Sequence, residues 1–194
     1  MSLRQLRAIQ ALYFTYQDVA DLLKITPQSA MVTCSRYVRS GDLVRLKRNY
    51  YIPRERWSRL AEDQIFVLAN MLQVPSYISL TTALVFYGYT TQIQRDYIES
   101  VAVKRTREFR IEEVTFSFTK IKKDYYSDFI KKEGFFIATP EKALIDTLYL
   151  ESLGRYRLDI GSIDFSKFDN KVIRKVASRY TDKVRQRAEE LCGT

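Results

Sequence analysis

Between Thr15 and Pro53 the spacing of apolar positions changes period. Val19, Ala20, Leu22 and Leu23 fall on one side of a helix over Gln17–Lys24. Ala30, Cys34, Tyr37 and Val38 fall on one side of another, which opens at Thr26-Pro27 and closes at Gly41. Thr is a favoured N-cap, Pro at the first helical position loses no needed N–H, and Gly suits the left-handed residue that ends a helix. Ile25 sits in the intervening turn, where it can plug the core. Leu43, Val44 and Leu46, then Tyr50, Tyr51 and Ile52, form two short strands around Lys47-Arg48-Asn49, and Asn tolerates the positive φ of a tight hairpin. Upstream, Leu3, Leu6, Ile9 and Leu12 predict a first helix over about residues 2–13. This order of helices and hairpin is that of a winged helix-turn-helix.

Beyond Pro53, the stripe Ile65, Leu68, Ala69 and Leu72 predicts a helix over Ala61–Leu72, broken by Pro75. Ser79 is placed as the N-cap of a helix carrying Leu80, Ala83, Leu84 and Tyr87 on one face and ending at Gly88. Tyr97–Lys104 and Val114–Ile121 are β-prone and joined by a basic loop, Lys104–Arg110, which predicts a strand pair. Phe135–Ala138 reads as a strand leading into a helix capped by Thr139, with Pro140 first and Glu141 at the positive end of its dipole. Two helices, about Asn170–Arg179 and Asp182–Leu191, close the chain, with Val184, Ala188 and Leu191 as the stripe of the last. The expected fold class is α+β. A winged helix-turn-helix domain over residues 1–58 precedes a mixed α+β domain over residues 59–194.

Composition adds to this picture. A hydrophobic fraction of 46% with 14 Tyr and 11 Phe suffices for packed cores. No apolar window is long enough for a membrane span, and the first ten residues lack the apolar stretch of a secretory signal. Cys34 and Cys192 stand far apart and suggest a reducing cytoplasm. The net charge of +9 is uneven: residues 1–59 carry 11 Lys/Arg against 4 Asp/Glu, while residues 60–150 carry 11 against 12. A basic module on a neutral body suits a polyanion touched by one end.

The helix from Pro27 to Arg39 turns Gln28, Ser29, Val32, Arg36 and Arg39 away from its apolar face, with Thr33 at the flank. Gln pairs with adenine, Arg with guanine or phosphate, and an exposed Val touches a thymine methyl. Gln28, Ser29, Thr33 and Arg36 are therefore expected to read bases or adjacent phosphates of double-stranded DNA. Arg39, Lys47, Arg48 and Asn49 are expected to hold its backbone. The competing reading is a winged helix that docks a protein, its basic residues being solvated surface.

Histidine is absent, which removes the commonest general base and metal ligand. The six glycines form neither a phosphate-binding loop nor a dinucleotide turn, and no metalloprotease, paired-cysteine or nucleophile-elbow motif occurs. Lys142 and Asp146, four apart, read as a surface ion pair in preference to a catalytic pair. Glu112-Glu113 with Lys120 is a weak pattern for a metal nuclease. Tyr125-Tyr126 and Phe135-Phe136 are candidates for base stacking, or are half core and half surface. The expectation is a non-enzymatic chain without metal or cofactor.

Three stretches resemble the AbiEi-type antitoxins and transcriptional regulators of type IV toxin–antitoxin systems. SRYVRSGDLVRLKRNYYIP resembles the family's "G-x-L" strand and "r-r-G-x-Y" wing. ISLTTALVFYG is similar to its "l-S-x-x-S-A-L-x-x-x-G" helix, and IATPEKALIDTLYL to its "a-t-P-E-K-A-L-x-D" helix. With the run at Ile163–Phe168 the likeness spans most of residues 15–190. The chain departs at Asn49, where the family usually has Gly, and at Ile25-Thr26, where a turn glycine is missing. The resemblance implies a cytoplasmic repressor that binds operator DNA, with inverted repeats, at its own promoter. It also implies a nucleotidyltransferase-like toxin as functional partner, opposed through the C-terminal domain without need of direct contact.

Overall fold

The computed structural model describes residues 3–6 and 8–192, and the chain divides into two compact units, residues 1–65 and 66–194. The first contains α1 (Leu3–Leu6), α2 (Tyr16–Leu23), α3 (Pro27–Arg39), β1 (Leu43–Lys47), β2 (Tyr50–Pro53) and α4 (Arg54–Trp57). It is a winged helix-turn-helix. α2 starts in a capping box: Thr15 Oγ1 accepts the Asp18 N–H at 3.3 Å, and the Asp18 carboxylate accepts the Thr15 N–H at 2.7 Å. Lys24 takes the left-handed conformation (φ 53°) where a turn glycine would sit. α3 begins as its sequence dictates, with Thr26 as N-cap and Pro27 first. Gly41 (φ 80°) closes it: the Asp42 N–H reaches the Tyr37 carbonyl at 2.9 Å and the Gly41 N–H that of Val38 at 3.2 Å.

Leu6, Phe14, Val19, Ala20, Ala30, Cys34, Leu43 and Tyr51 form the buried core of this unit, and Ile25 packs against it from the turn. The first helix is shorter than its periodicity predicts, although Ile9 still packs on the core. The side chain of Leu3 lies outside the described residues. Two interactions draw the chain out of helical geometry. Arg56 donates to the Ile9 carbonyl at 2.9 Å and to that of Ala11, taking acceptors a longer helix would use. Phe14 exchanges two 2.9 Å backbone hydrogen bonds with Tyr51, adding an antiparallel rung beside β2.

The second unit is built on a mixed six-stranded sheet. Its strands are β3 (Ser76–Ile78), β4 (Tyr97–Ala102), β5 (Arg107–Ile111), β6 (Val114–Lys120), β7 (Phe129–Lys132) and β8 (Phe135–Ala138), in the order β5-β6-β4-β3-β8-β7. β4 with β6 and β3 with β8 are parallel, and the other pairs are antiparallel. Tyr97–Ala102 and Val114–Lys120 are neighbours, as the pattern predicts. The segment read as a basic loop instead supplies the edge strand β5, which folds back on β6 through Glu112-Glu113. The helices are α5 (Glu62–Leu72), α6 (Leu80–Phe86), α7 (Pro140–Ser152), α8 (Asn170–Ala177) and α9 (Asp182–Cys192). Thr139 caps α7, accepting the Lys142 N–H at 3.3 Å. Every residue from Lys142 to Leu150 is buried, making α7 the central helix of this unit.

That burial corrects the reading of Lys142 and Asp146. Both side chains are fully enclosed, so they are not a surface pair. The Lys142 ammonium bonds Asp146 Oδ1 and donates to the Tyr180 hydroxyl at 2.6 Å. Tyr180 donates to Asp146 Oδ1 at 3.1 Å, and Asp146 Oδ2 accepts from Tyr77 at 2.8 Å and Ser79 at 2.9 Å. Lys142 also lies 5.5 Å from the Tyr77 ring centroid and 5.3 Å from that of Tyr180. Burial and the Asp146 carboxylate push both tyrosine hydroxyls well above their ordinary pKa. Ser79 precedes α6 as predicted but makes no side-chain cap, because its hydroxyl serves Asp146. The network thus ties β3 and the entry to α6 to the central helix and to the turn after α8.

Candidate nucleic-acid interface

α3 presents two chemically distinct faces. Ala30 and Cys34 are fully buried, and burial pushes the Cys34 thiol up to about 11. Gln28, Ser29, Val32, Arg36 and Arg39 are exposed. Thr26 Oγ1 donates to Ser29 Oγ at 2.9 Å and accepts the Ser29 N–H at 3.2 Å, which fixes the Ser29 side chain over the first turn. The Arg36 guanidinium lies 5.3 Å from the Tyr37 ring centroid. Arg36 and Arg39 occupy the last turn, where cations complement the helix dipole.

Thr33 is placed differently from the sequence reading. It is only 6% exposed and lies with the core stripe rather than at the flank. The cause is helical spacing: Thr33 follows Ala30 by three and precedes Tyr37 by four, so all three share a side. It is not offered to a groove.

The hairpin has a two-residue tip, Arg48-Asn49, with Lys47 opposite Tyr50 and a register shift between Arg45 and Lys47. Arg48 is exposed. Lys47 is half-buried, its ammonium 4.6 Å from the Tyr50 ring centroid, and burial lowers its pKa. Asn49 takes the positive φ expected of it, 65°. Its side chain, however, is turned inward. Oδ1 accepts the Tyr16 N–H at 2.9 Å, and Nδ2 donates to Gln17 Oε1 at 2.8 Å. Tyr16 is the first residue of α2, whose N–H has no partner within the helix. Asn49 therefore supplies an outside cap and fastens the tip to α2, so a phosphate-holding role does not fit its side chain. One cation escaped the sequence reading. Arg45 is exposed between buried Val44 and Leu46, and strand alternation over Val44–Leu46 was the available signal.

The weaker candidates of the second unit are also placed. Glu112 and Glu113 sit at the β5–β6 turn, whereas Lys120 ends β6 at the opposite end, so they do not converge. Among the described residues, no group of three His, Cys, Asp or Glu side chains is arranged to hold a metal ion. Tyr125 is buried and stacked on Tyr180 with centroids 4.0 Å apart, and Phe135 is fully buried. Phe136 is 40% exposed, and Tyr126 is half-buried against Tyr77. These pairs are half core and half surface. No helix among the described residues is long and apolar enough to cross a membrane.

An exposed helix face and a two-stranded basic hairpin define the first unit as a winged helix-turn-helix. Residues 1–53 match the family model described as "Transcriptional regulator, AbiEi antitoxin", which bears out the resemblance over that module. No curated protein matches the chain significantly. In fold the chain is similar to the RV2827C protein from Mycobacterium tuberculosis, with a TM-score of 0.64 and 14% sequence identity. That likeness covers 98% of this chain and 74% of the other. It extends the shared architecture across both units and concerns the fold alone.

Proposed function

We propose that this chain is a cytoplasmic, DNA-binding autorepressor that also serves as the antitoxin of a type IV, AbiE-like system. The observation that carries the reading is the exposed surface of the module: Gln28, Ser29, Val32, Arg36 and Arg39 are exposed on α3, and Arg45 and Arg48 on the hairpin. The family matched over residues 1–53 supports it. In this reading α3 enters the major groove, with Gln28, Ser29 and Arg36 at base edges or adjacent phosphates. Arg39, Arg45, Lys47 and Arg48 hold the backbone, and Asn49 sets the tip that carries Arg48. The second unit opposes a nucleotidyltransferase-like toxin without need of direct contact, and operator half-sites arranged as inverted repeats are the expected target.

Fluorescence anisotropy with the duplex upstream of the gene and a scrambled duplex tests the reading. Preference for the native duplex is expected. Arg36→Ala should cost roughly 1–3 kcal/mol on the native duplex only. Lys47→Ala should weaken both duplexes alike and flatten the salt dependence. Equal loss on both duplexes for Arg36→Ala refutes base reading by that residue.

A second reading has its own observation. Leu22, Met31 and Val32 are 42%, 38% and 60% exposed on α2 and α3, which gives the same unit apolar material for docking a protein. Co-purification of a partner that survives nuclease treatment, without operator preference, would favour it.

A further inference from the structure

β5 (Arg107–Ile111) is one edge of the six-stranded sheet and pairs on one side only, with β6. It turns into β6 through Glu112-Glu113, so Ile111 and Val114 close the hairpin as a hydrogen-bonded pair. In an antiparallel ladder such pairs alternate with pairs that exchange no hydrogen bond. Phe109 with Phe116 and Arg107 with Phe118 are then bonded pairs, whereas Arg110 with Thr115 and Glu108 with Ser117 are not. Two contacts of β6 agree with this parity. The Thr115 N–H turns away from β5 and donates to the Asp96 carbonyl at 2.8 Å. The Lys120 N–H turns toward the β5 side and donates to Thr106 Oγ1 at 3.0 Å. The backbone N–H and C=O groups of Glu108 and Arg110 therefore face out from the edge, and no other described segment takes them up.

An open edge of this kind accepts another strand. The side chains decide which strand fits. Glu108 and Arg110 are exposed and lie on the face of the sheet opposite Phe109 and buried Ile111. An antiparallel copy of β5 centred on Phe109 sets Glu108 across from Arg110 of the second copy, and Arg110 across from its Glu108. Glu108 and Arg110 are also the positions whose backbone groups face outward, so each charge pair rides on a hydrogen-bonded backbone pair. Opposite charges directly across a ladder stabilise it. Phe109 meets its own copy at the centre, where an unbonded pair brings side chains closest. That ring is already held edge-on against Phe118, with centroids 5.8 Å apart. The same register runs the basic stretch Lys104-Arg105 toward the acidic turn Glu112-Glu113 of the copy. A strand of another protein would need this same order of signs, which β5 carries in itself. The opposite edge, β7, has only Lys131 and Lys132 as charges, so its self-pairing crowds like charges and is disfavoured.

We propose that β5 is a self-association edge: a second copy of this chain adds its own β5 antiparallel about Phe109, joining the two sheets through a two-fold interface. The pairing needs no DNA and stands apart from the α3 surface.

The test is sedimentation equilibrium of the full chain without DNA, from about 1 to about 500 µM, the range in which a small interface associates. The wild type should pass from one chain to two across it. Glu108→Arg sets arginine against Arg110, and Arg110→Glu sets glutamate against Glu108, so each alone should weaken association about tenfold or more. Both side chains are exposed, and circular dichroism checks that the fold is kept. Mixing the two variants in equal amounts leaves only opposite charges across the edge and should restore the dimer. The double variant, which swaps the signs and keeps them opposed, should dimerise as the wild type does. A wild-type chain that stays monomeric over the whole range overturns the inference. So does a dimer that neither single variant weakens, a loss that mixing does not restore, or a monomeric double variant.

Discussion

Removing the Asp146 carboxylate should unfold the second unit preferentially. Asp146 accepts from the Lys142 ammonium and from the hydroxyls of Tyr180, Tyr77 and Ser79, all within a region closed to solvent. Asp146→Ala leaves the ammonium buried with only the Tyr180 hydroxyl as a hydrogen-bond partner. Breaking a buried pair in this way costs about 3–5 kcal/mol. Each orphaned hydroxyl adds roughly 1–3 kcal/mol where no rearrangement satisfies it. Against a total stability of about 5–15 kcal/mol this is a large fraction. Lys142→Met removes the other charge but leaves Asp146 with three hydroxyl donors, so it should cost less than Asp146→Ala. Urea unfolding of the full chain measures both. The single tryptophan, Trp57, is buried in the first unit, so its fluorescence follows that unit, whereas far-ultraviolet circular dichroism follows both. With a slope of about 1–3 kcal/mol per molar urea, the later-unit transition should fall by about 1 M or more. The tryptophan transition should stay in place. A loss under about 1 kcal/mol for Asp146→Ala, or a greater loss for Lys142→Met, refutes the reasoning about the buried charge.

Other expectations follow from single contacts. Asn49→Ala removes the cap on Tyr16 and the bond to Gln17, so it should destabilise the first unit by about 1–2 kcal/mol, read by Trp57 fluorescence. Asn49→Gly keeps the turn and should cost less, and operator affinity should fall with the tip's order in both. Glu99 is raised above the ordinary carboxylate range by burial, against the lowering influence of Gln94 and Tyr156. The unfolded chain therefore releases this proton first, and stability contributed by the protonated form is lost as pH rises through the folded pKa. Glu99→Gln should remove that decline, and parallel pH–stability curves for variant and wild type would contradict it. Cys192, half-buried at the end of α9, should react with a thiol reagent well before buried Cys34, which reacts on unfolding. Two equally fast thiols would show that the first core is not closed as described.

The sequence alone determined most of the first unit and its outward chemistry. Thr26-Pro27 and Gly41 set the limits of α3 through local capping, and the 3.6-residue period separated Ala30 and Cys34 from Arg36 and Arg39. Thr139-Pro140 likewise marked the start of α7. These signals act within a few residues, so they are legible without a fold. Where a contact joins residues distant in the chain, the outcome follows from the folded arrangement. The fate of Phe14 depends on Tyr51, and that of the first helix on Arg56. Asn49 looked like a free tip residue because Tyr16 lies 33 positions away. Lys142 and Asp146 looked like a surface pair because four-residue spacing says which helix face they share. It does not say that Tyr77 and Tyr180 close over that face. The basic stretch at 104–110 looked like a loop, since edge pairing to β6 is a property of the sheet order. Local sequence fixes caps and faces through short-range sterics and hydrogen bonding. Which face is buried, and which charges gather, depends on the elements that arrive from elsewhere in the chain.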